Sequence, residues 1–337
     1  MPIRTTQRDP LDPALCELLK ISPECGYEEL HGNKGFSRPS KVTAVVNGKA
    51  IHYFVKSGPN KDMFASEHEA LRELGETVSN LTPYSLGFGK YTNNDSRYFL
   101  LMEWLEMLGS NATTAEDSHA LSLPQKLAKL HSTPARTPPG YRDPQFGWHR
   151  STYCGMTKQN NDFRASWDKF YRENRLLTIL RQIEERHGSN EELGAAMEPI
   201  TGIVVPRLLR NGHLGGRRGI QPVLIHGDLW HGNKAYGANP AWENPEWVLF
   251  DPSSCYCHSE YEIGIMRRFG GFSATFYHEY HQLLPKTEPK HEYEDRIALY
   301  QLYHYLNHYL MFRGGAYMDS AMDIIKKLTD KYVTSED

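Results

Sequence analysis

The first hundred residues carry a hydrophobic and polar pattern that predicts strands around one helix. Segments 41–46 and 50–56 are rich in β-branched and aromatic residues, and Asn47-Gly48 lies between them. An Asn-Gly pair between two such runs predicts a β-hairpin, because both turn residues need a positive φ. Apolar residues at helical spacing then predict a helix over 63–74, with Gly75 as its C-terminal cap.

Further along, the pattern changes from strands to helices. Segments 84–88 and 98–103 are predicted strands, and the second is mostly apolar, as expected near a lobe boundary. After about residue 105 the apolar spacing becomes helical, most clearly over 163–186 and 260–332. We therefore predict an α+β fold of two lobes. A β-rich N-terminal lobe would span 1–103 and an α-rich C-terminal lobe 104–337.

Composition and charge exclude several classes of protein. The 337 residues are 39% hydrophobic and 23% charged, as in an ordinary globular chain of about two lobes. Lys and Arg number 38 against 41 Asp and Glu, so bulk charge indicates neither a nucleic-acid nor a membrane partner. Neither an 18-residue apolar run nor the apolar segment of a secretion signal is found. Five cysteines, odd in number and sparse, favour a reducing, cytoplasmic location.

The most informative string is VLIHGDLWHGN, residues 223–233. A buried strand is predicted to end at Ile225, and the loop after it presents Asp228 and Asn233. A neighbouring strand over 247–250 delivers Asp251. Phosphoryl transfer needs a carboxylate that orients the acceptor hydroxyl and takes its proton, and oxygen ligands for the Mg²⁺ on the nucleotide phosphates. We predict Asp228 as the base and Asn233 and Asp251 as metal ligands. His-Gly-Asp alone would also suit an ordinary turn.

A phosphate-binding lysine and its carboxylate partner are predicted in the N-terminal lobe. Lys56 ends the predicted strand 50–56, the position that a kinase uses for this lysine. Glu67 lies four residues from Met63 and from Leu71, on the apolar side of the predicted helix. An unpaired carboxylate on this buried side would destabilise the fold, because a buried charge needs a partner. A buried Lys56–Glu67 ion pair is therefore predicted. The alternative is an exposed lysine and a partly solvated glutamate.

Two further segments are candidates for binding ATP. The loop containing Gly32, Gly35 and Ser37 precedes the hairpin and could cover the phosphates with backbone N–H groups, although it does not match G-x-G-x-x-G. Around residue 104 we predict a hinge, in which the carbonyl of Glu103 and the N–H of Leu105 would lie at the adenine edge.

With these residues in place, the chain resembles the fructosamine kinase family, relatives of aminoglycoside phosphotransferases. The resemblance implies that the two predicted lobes form an α+β, protein-kinase-like bilobal fold. The resemblance covers most of the chain and is most specific in 251–254, 258–262, 269–272 and 303–308. It implies ATP-dependent phosphorylation of the 3-hydroxyl of a ketosamine, such as ribulosamine or fructosamine on a lysine amine. The product is unstable and releases the amine, which is protein deglycation.

The resemblance also implies a sugar pocket, and the sequence differs from the family at two points. Trp230, His258 and Glu260 are assigned to the sugar pocket, because an aromatic face and polar groups suit a sugar-amine ligand. His231 stands where the family usually has a small residue, which narrows the space beside the acceptor. The predicted nucleotide loop lacks the cysteine that some members carry, so no redox-linked dimer through it is predicted and a monomer is favoured.

Two other functions stay open. A kinase of another hydroxyl acceptor, such as an aminoglycoside, choline or a free sugar, would share every residue that handles phosphate. A nucleotide-binding module with little catalysis is suggested by the irregular loop over 32–37, although the intact base and metal ligands disfavour it. The sequence does not choose between ribulosamine and fructosamine, nor between a free amino acid and a protein as their carrier.

Overall fold

The computed structural model describes residues 11–22, 26–30, 37–46, 48–108 and 120–333. Short strands occur throughout this part of the chain. In chain order they are β1 (Gly26–Glu29), β2 (Arg38–Val46), β3 (Lys49–Gly58), β4 (Ser85–Lys90), β5 (Tyr98–Glu103), β6 (Glu106–Met107), β7 (Thr152–Cys154), β8 (Thr157–Gln159), β9 (Val223–Ile225), β10 (Lys234–Ala238), β11 (Glu246–Leu249) and β12 (Cys255–Cys257).

Helices dominate the second half of the chain. Two π-helical segments, Phe170–Leu177 and Ile200–Val204, join α4 to α5 and α6 to α7. The helices are α1 (Pro13–Leu19), α2 (Lys61–Thr77), α3 (Leu123–Ser132), α4 (Trp167–Lys169), α5 (Thr178–His187), α6 (Glu191–Pro199), α7 (Val205–Leu209), α8 (Ser259–Phe269), α9 (Ala274–Leu283), α10 (Tyr293–Phe312) and α11 (Gly315–Tyr332).

The chain divides into two compact units. The first comprises Met1–Ala120 with Ala235–Phe250, and the second Leu121–Lys234 with Asp251–Asp337. A single boundary after residue 103 is what the sequence predicts. The structure differs because β10 pairs with β6 and β11 pairs with β10, which ties 235–250 to the first unit.

The first unit is built on a five-stranded antiparallel sheet in the order β1-β2-β3-β5-β4. The predicted hairpin is confirmed. Val46 pairs with Lys49, so the turn has two residues, and Gly48 has a φ of +75°. Asn47 lies outside the described residues.

The apolar sequence of β5 follows from its burial on both faces. Side chains alternate between the two faces of a strand, so consecutive apolar residues must be buried on both. Phe99 and Leu101 belong to the cluster that contains Leu15 of α1, whereas Leu100 belongs to the cluster that contains Phe64 of α2. Both faces of β5 are therefore covered.

Helix α2 is longer than predicted. Asn60 caps its N-terminus by accepting a hydrogen bond from the N–H of Met63 at 3.1 Å. The prediction that Gly75 caps the C-terminus is wrong, because the helix continues to Thr77. A Cβ at Gly75 would lie 3.3 Å from Oγ1 of Thr82, whose hydroxyl donates to the carbonyl of Leu71 at 2.8 Å. The glycine permits this close approach.

The second unit confirms the predicted helical region. Its central element is α10, a helix of 20 residues that packs against α5, α8 and α11. Strand β9 pairs with β12, so that Ile225 lies opposite Cys255. Within the described ranges, no helix has the length and apolar character that crossing a membrane would need.

Candidate active site

The loop after β9 runs against the backbone of residue 253. Gly227 has a φ of +85°, and a Cβ at this position would lie 2.1 Å from the carbonyl oxygen of Ser253. The N–H of Ser253 in turn donates to the carbonyl of His226 at 2.8 Å. Only glycine allows such an approach, so the middle residue of His-Gly-Asp has a steric role.

Asp251 reaches this loop by a different route from the one predicted. The prediction that its strand neighbours β9 is wrong, because β11 belongs to the sheet β11-β10-β6 and β9 pairs with β12. Asp251 lies in the turn between β11 and β12, with a φ of +55°. Aspartate is among the few side chains that tolerate this conformation. Because β12 runs antiparallel to β9, with Cys255 opposite Ile225, this turn lies at the end of β9 that leads to Asp228.

Asn233 contacts the predicted base directly. It ends the short 3₁₀ turn His231–Asn233, and its side chain is buried. Its Nδ2 donates to the backbone carbonyl of Asp228 at 2.8 Å and lies 3.5 Å from Oδ2 of the same residue. Because the amide nitrogen is used in this way, the amide oxygen is the atom that could bind a metal.

The electrostatics of Asp228 fit a cation site. Burial raises the pKa of Asp228 well above its usual value, and the charge of Asp251 raises it further, against smaller opposing effects of Cys154 and Asn233. Two carboxylates that repel each other favour a bound cation. In the described ranges, no three His, Cys, Asp or Glu side chains cluster as in an all-protein metal site. Mg²⁺ on a nucleotide usually takes only one or two protein carboxylates.

Glu262 is a residue of this site to which sequence reasoning assigned no role. It lies on α8, fully buried, and accepts hydrogen bonds from the N–H groups of His226 at 2.5 Å and Gly227 at 3.1 Å. Burial raises its pKa, but the imidazoles of His131 and His226 and the N–H of Gly227 outweigh this and hold the pKa below its usual value. The sequence does contain a sign of this role. Glu262 stands between Tyr261 and Ile263, and a carboxylate that is buried with such neighbours needs a polar partner.

The predicted ion pair of the first unit is confirmed. Nζ of Lys56 lies 2.5 Å from Oε1 of Glu67, and the two side chains are 12% and 11% exposed. Lys56 stands in β3 opposite Leu100 of β5, and Glu67 projects from α2. The ion pair holds the ammonium group of Lys56 in a defined position, and its binding of phosphate stays a prediction.

The remaining candidates for binding the nucleotide are placed only in part. Ser37 lies half-buried at the bend before β2, whereas Gly32 and Gly35 lie outside the described residues. Glu103 ends β5, and its carboxylate accepts hydrogen bonds from the N–H of Tyr84 and from Nδ2 of Asn239, both at 2.8 Å. Leu105 follows, buried, just before β6. Their contact with adenine stays a prediction.

The three predicted sugar-pocket residues separate into two groups. His258 is buried, with Nδ1 2.9 Å from the Tyr300 hydroxyl and Nε2 2.9 Å from that of Thr287. Glu260 is also buried, and both of its oxygens accept from the guanidinium of Arg296, at 2.7 and 3.1 Å. Since these polar atoms are engaged inside the protein, the structure does not support their predicted contact with substrate.

Trp230 differs from these two residues in its surroundings. It is half-buried, and its ring lies edge-on to the rings of His231 at 4.6 Å and Phe269 at 6.2 Å. Trp230 is therefore partly accessible to solvent, two residues after Asp228.

A sequence model of the fructosamine kinase family matches residues 39–331. The chain belongs to the fructosamine kinase family. Mouse ketosamine-3-kinase is 39% identical over 187 residues, which cover 55% of this chain and 54% of the mouse protein. The match thus spans about half of that relative. The chloroplastic protein-ribulosamine 3-kinase of Arabidopsis thaliana is 34% identical over 283 residues, 81% of this chain and 74% of that protein.

Solved structures of the fructosamine kinase family and of aminoglycoside kinases share this fold. One assigned as a fructosamine-3-kinase from Thermobifida fusca has a TM-score of 0.71 and 25% identity, covering 95% of this chain and 98% of its own. A thermostable variant of aminoglycoside phosphotransferase APH(4)-Ia, solved with ADP and hygromycin B, has a TM-score of 0.54 and 11% identity, covering 95% and 98%. The predicted protein-kinase-like fold, family and phosphotransferase class are confirmed.

Proposed function

We propose that the protein is an ATP-dependent ketosamine 3-kinase, which phosphorylates the 3-hydroxyl of ribulosamine or fructosamine adducts on amines. The observation that carries the proposal is the meeting of Asp228, Asn233 and Asp251, where the loop after β9 runs against the turn before β12. The names of the mouse and Arabidopsis relatives support the ketosamine as acceptor.

In the proposed reaction Asp228 acts as the base. The acceptor oxygen forms a bond to the γ-phosphorus of ATP, the bond from that phosphorus to the bridging oxygen breaks, and ADP leaves. The hydroxyl proton moves to the carboxylate of Asp228, which also orients the hydroxyl. Gly227 and Glu262 fix the loop, so this carboxylate needs little rearrangement during the reaction.

The other residues would bind the nucleotide and the sugar. Asn233 and Asp251 would hold Mg²⁺, which when bound neutralises charge on the phosphates. Lys56, held by Glu67, would bind phosphate oxygens. The half-buried ring of Trp230 suits the face of a sugar-amine. The phosphate loop with Ser37 and the adenine contacts of Glu103 and Leu105 belong to the same proposal.

The proposal is tested by substrate-dependent release of ADP. Purified protein with Mg-ATP should release ADP when a ribulosyl- or fructosyl-lysine peptide is added, and Asp228→Asn should abolish this release. Asp323→Asn, at an exposed position of α11, is the matched control and should keep full activity. Turnover retained in Asp228→Asn would contradict the assignment of the base.

A panel of acceptors separates the remaining possibilities. Aminoglycosides, choline and free sugars belong in the panel, since an aminoglycoside kinase has the same fold. Turnover of one of these but of no ketosamine would replace the proposed acceptor while keeping the phosphoryl-transfer chemistry. Tight binding of ATP without turnover of any acceptor would instead indicate a nucleotide-binding module.

A further inference from the structure

A buried thiol lies against the proposed base. Sγ of Cys154, at the end of β7, is 3.7 Å from Oδ1 of Asp228, and Cys154 is 2% exposed. Asn233 approaches the other carboxylate oxygen, Oδ2, at 3.5 Å. The two oxygens of the carboxylate therefore face different donors, one from β7 and one from the 3₁₀ turn.

Asn307 of α10 determines the direction in which the thiol donates. Its Nδ2 lies 3.3 Å from Sγ of Cys154 and 3.3 Å from the carbonyl oxygen of the same residue. An amide nitrogen can only donate hydrogen bonds, so the sulfur is the acceptor in this contact. The single S–H proton is then left for Asp228, whose carboxylate must be ionised to act as the base and in that state can only accept.

The surroundings keep the thiol neutral and in place. Burial, the charge of Asp228 and the hydrogen bond to it raise the pKa of the Cys154 thiol well above its usual value. The thiol thus keeps its proton and places no second negative charge beside the base. Asn307 is fully buried on the longest helix of the second unit, and β7 is paired with β8.

We infer that Cys154 is a positioning residue for the reaction, orienting the carboxylate of Asp228 through its S–H, and that Asn307 acts on the base through Cys154. The inference rests on the proposed function, because it concerns the geometry of the same base. In this inference Cys154 acts only through the carboxylate of Asp228. Its loss should leave binding of ATP intact and slow the chemical step.

The kinetic test uses Cys154→Ala and Cys154→Ser. Losing a hydrogen bond to a charged group should lower kcat about tenfold, while the KM for ATP changes less than about twofold. Serine restores an O–H donor on a shorter bond and should recover part of kcat. If Cys154→Ala does not fold, Cys154→Ser is compared with the wild type instead. Its kcat should be lower than that of the wild type, but by less than about tenfold. The matched control is Cys16→Ala, since the Cys16 thiol is also buried and lies 3.7 Å from the carbonyl oxygen of Leu11 in the first unit.

A double-mutant cycle tests the role of Asn307. Asn307→Leu alone should lower kcat several-fold, but in the Cys154→Ala background it should have no further effect on kcat, because its path to Asp228 is already lost. Additive losses in the cycle would overturn the inference. So would a kcat of Cys154→Ala equal to that of Cys16→Ala, or a loss confined to KM.

A spectroscopic readout keeps this inference separate from the proposed function. The S–H stretching band of Cys154, assigned by its absence from Cys154→Ala, should move to higher frequency in Asp228→Asn, because a neutral amide is a weaker acceptor than a carboxylate. This measurement needs no substrate. If ketosamines are not turned over but the band moves, the function is wrong and the thiol contact stands. An unmoved band overturns the inference whatever the acceptor.

Discussion

The anchoring of the catalytic loop by Glu262 leads to a quantitative prediction. Oε2 of Glu262 accepts from the N–H groups of both His226 and Gly227, and Oε1 also lies 3.1 Å from the N–H of Gly227. Glu262→Gln keeps the shape of the side chain but removes the charge. Whichever way the amide turns, its NH₂ group faces a backbone N–H, and two donors cannot bond each other.

The size of the effect follows from these contacts. Two charge-assisted hydrogen bonds become neutral ones, at about 1 kcal/mol each, so the free energy of unfolding should fall by about 2 kcal/mol. The loop that carries Asp228 would also lose its fixed geometry, because Gly227 is in close contact with the backbone of Ser253. We expect kcat to fall at least about tenfold, with a smaller change in the KM for ATP.

Urea denaturation and steady-state kinetics together measure both effects. The matched control is Glu279→Gln on α9, where the carboxylate accepts from the hydroxyl of Ser122 at 2.5 Å and has no place in the proposed site. This control should cost less than about 1 kcal/mol and leave kcat unchanged. If Glu262→Gln were as stable and as active as Glu279→Gln, the argument that Glu262 anchors the loop would be refuted.

Two further predictions follow from the ion pair and from a buried imidazole. Lys56→Met should lower kcat/KM for ATP about 100-fold, because a fixed phosphate-binding cation is lost. The control Lys61→Met, at an exposed position of α2, should keep the wild-type kcat/KM. Equal activity of the two variants in an ADP-release assay would contradict the role of Lys56. Burial lowers the pKa of His258 to about 4, so the folded state favours the neutral ring and loses stability as pH falls below the unfolded value of about 6.5. Between pH 7 and pH 5 the free energy of unfolding should fall by about 2 kcal/mol for this reason. The urea midpoint of His258→Gln should therefore drop less over this range than that of the wild type. An equal drop would contradict the lowered pKa of His258.

Local sequence was sufficient for the parts of the fold that depend on neighbouring residues. The hairpin before Lys56 follows from an Asn-Gly pair between β-rich runs, and the partner of Lys56 follows from the position of Glu67 on an apolar helix face. Gly75 shows the limit of this reasoning. A glycine near a helix end is ordinarily a cap, but here its lack of a Cβ serves a contact with Thr82, which no local pattern reveals.

Long-range contacts explain the rest of the candidate site. The motif around Asp228 predicts this residue as the base, but its surroundings include Cys154, Glu262 and Asn307, which come from a strand and two helices up to 79 residues away along the chain. His258 and Glu260 illustrate the converse, since polar residues near a catalytic motif suggest substrate contacts until their partners in the core are known. A side chain that touches substrate and one that positions the base have the same chemistry in sequence. What distinguishes them is whether their polar atoms are already engaged inside the protein, and this depends on which elements pack together.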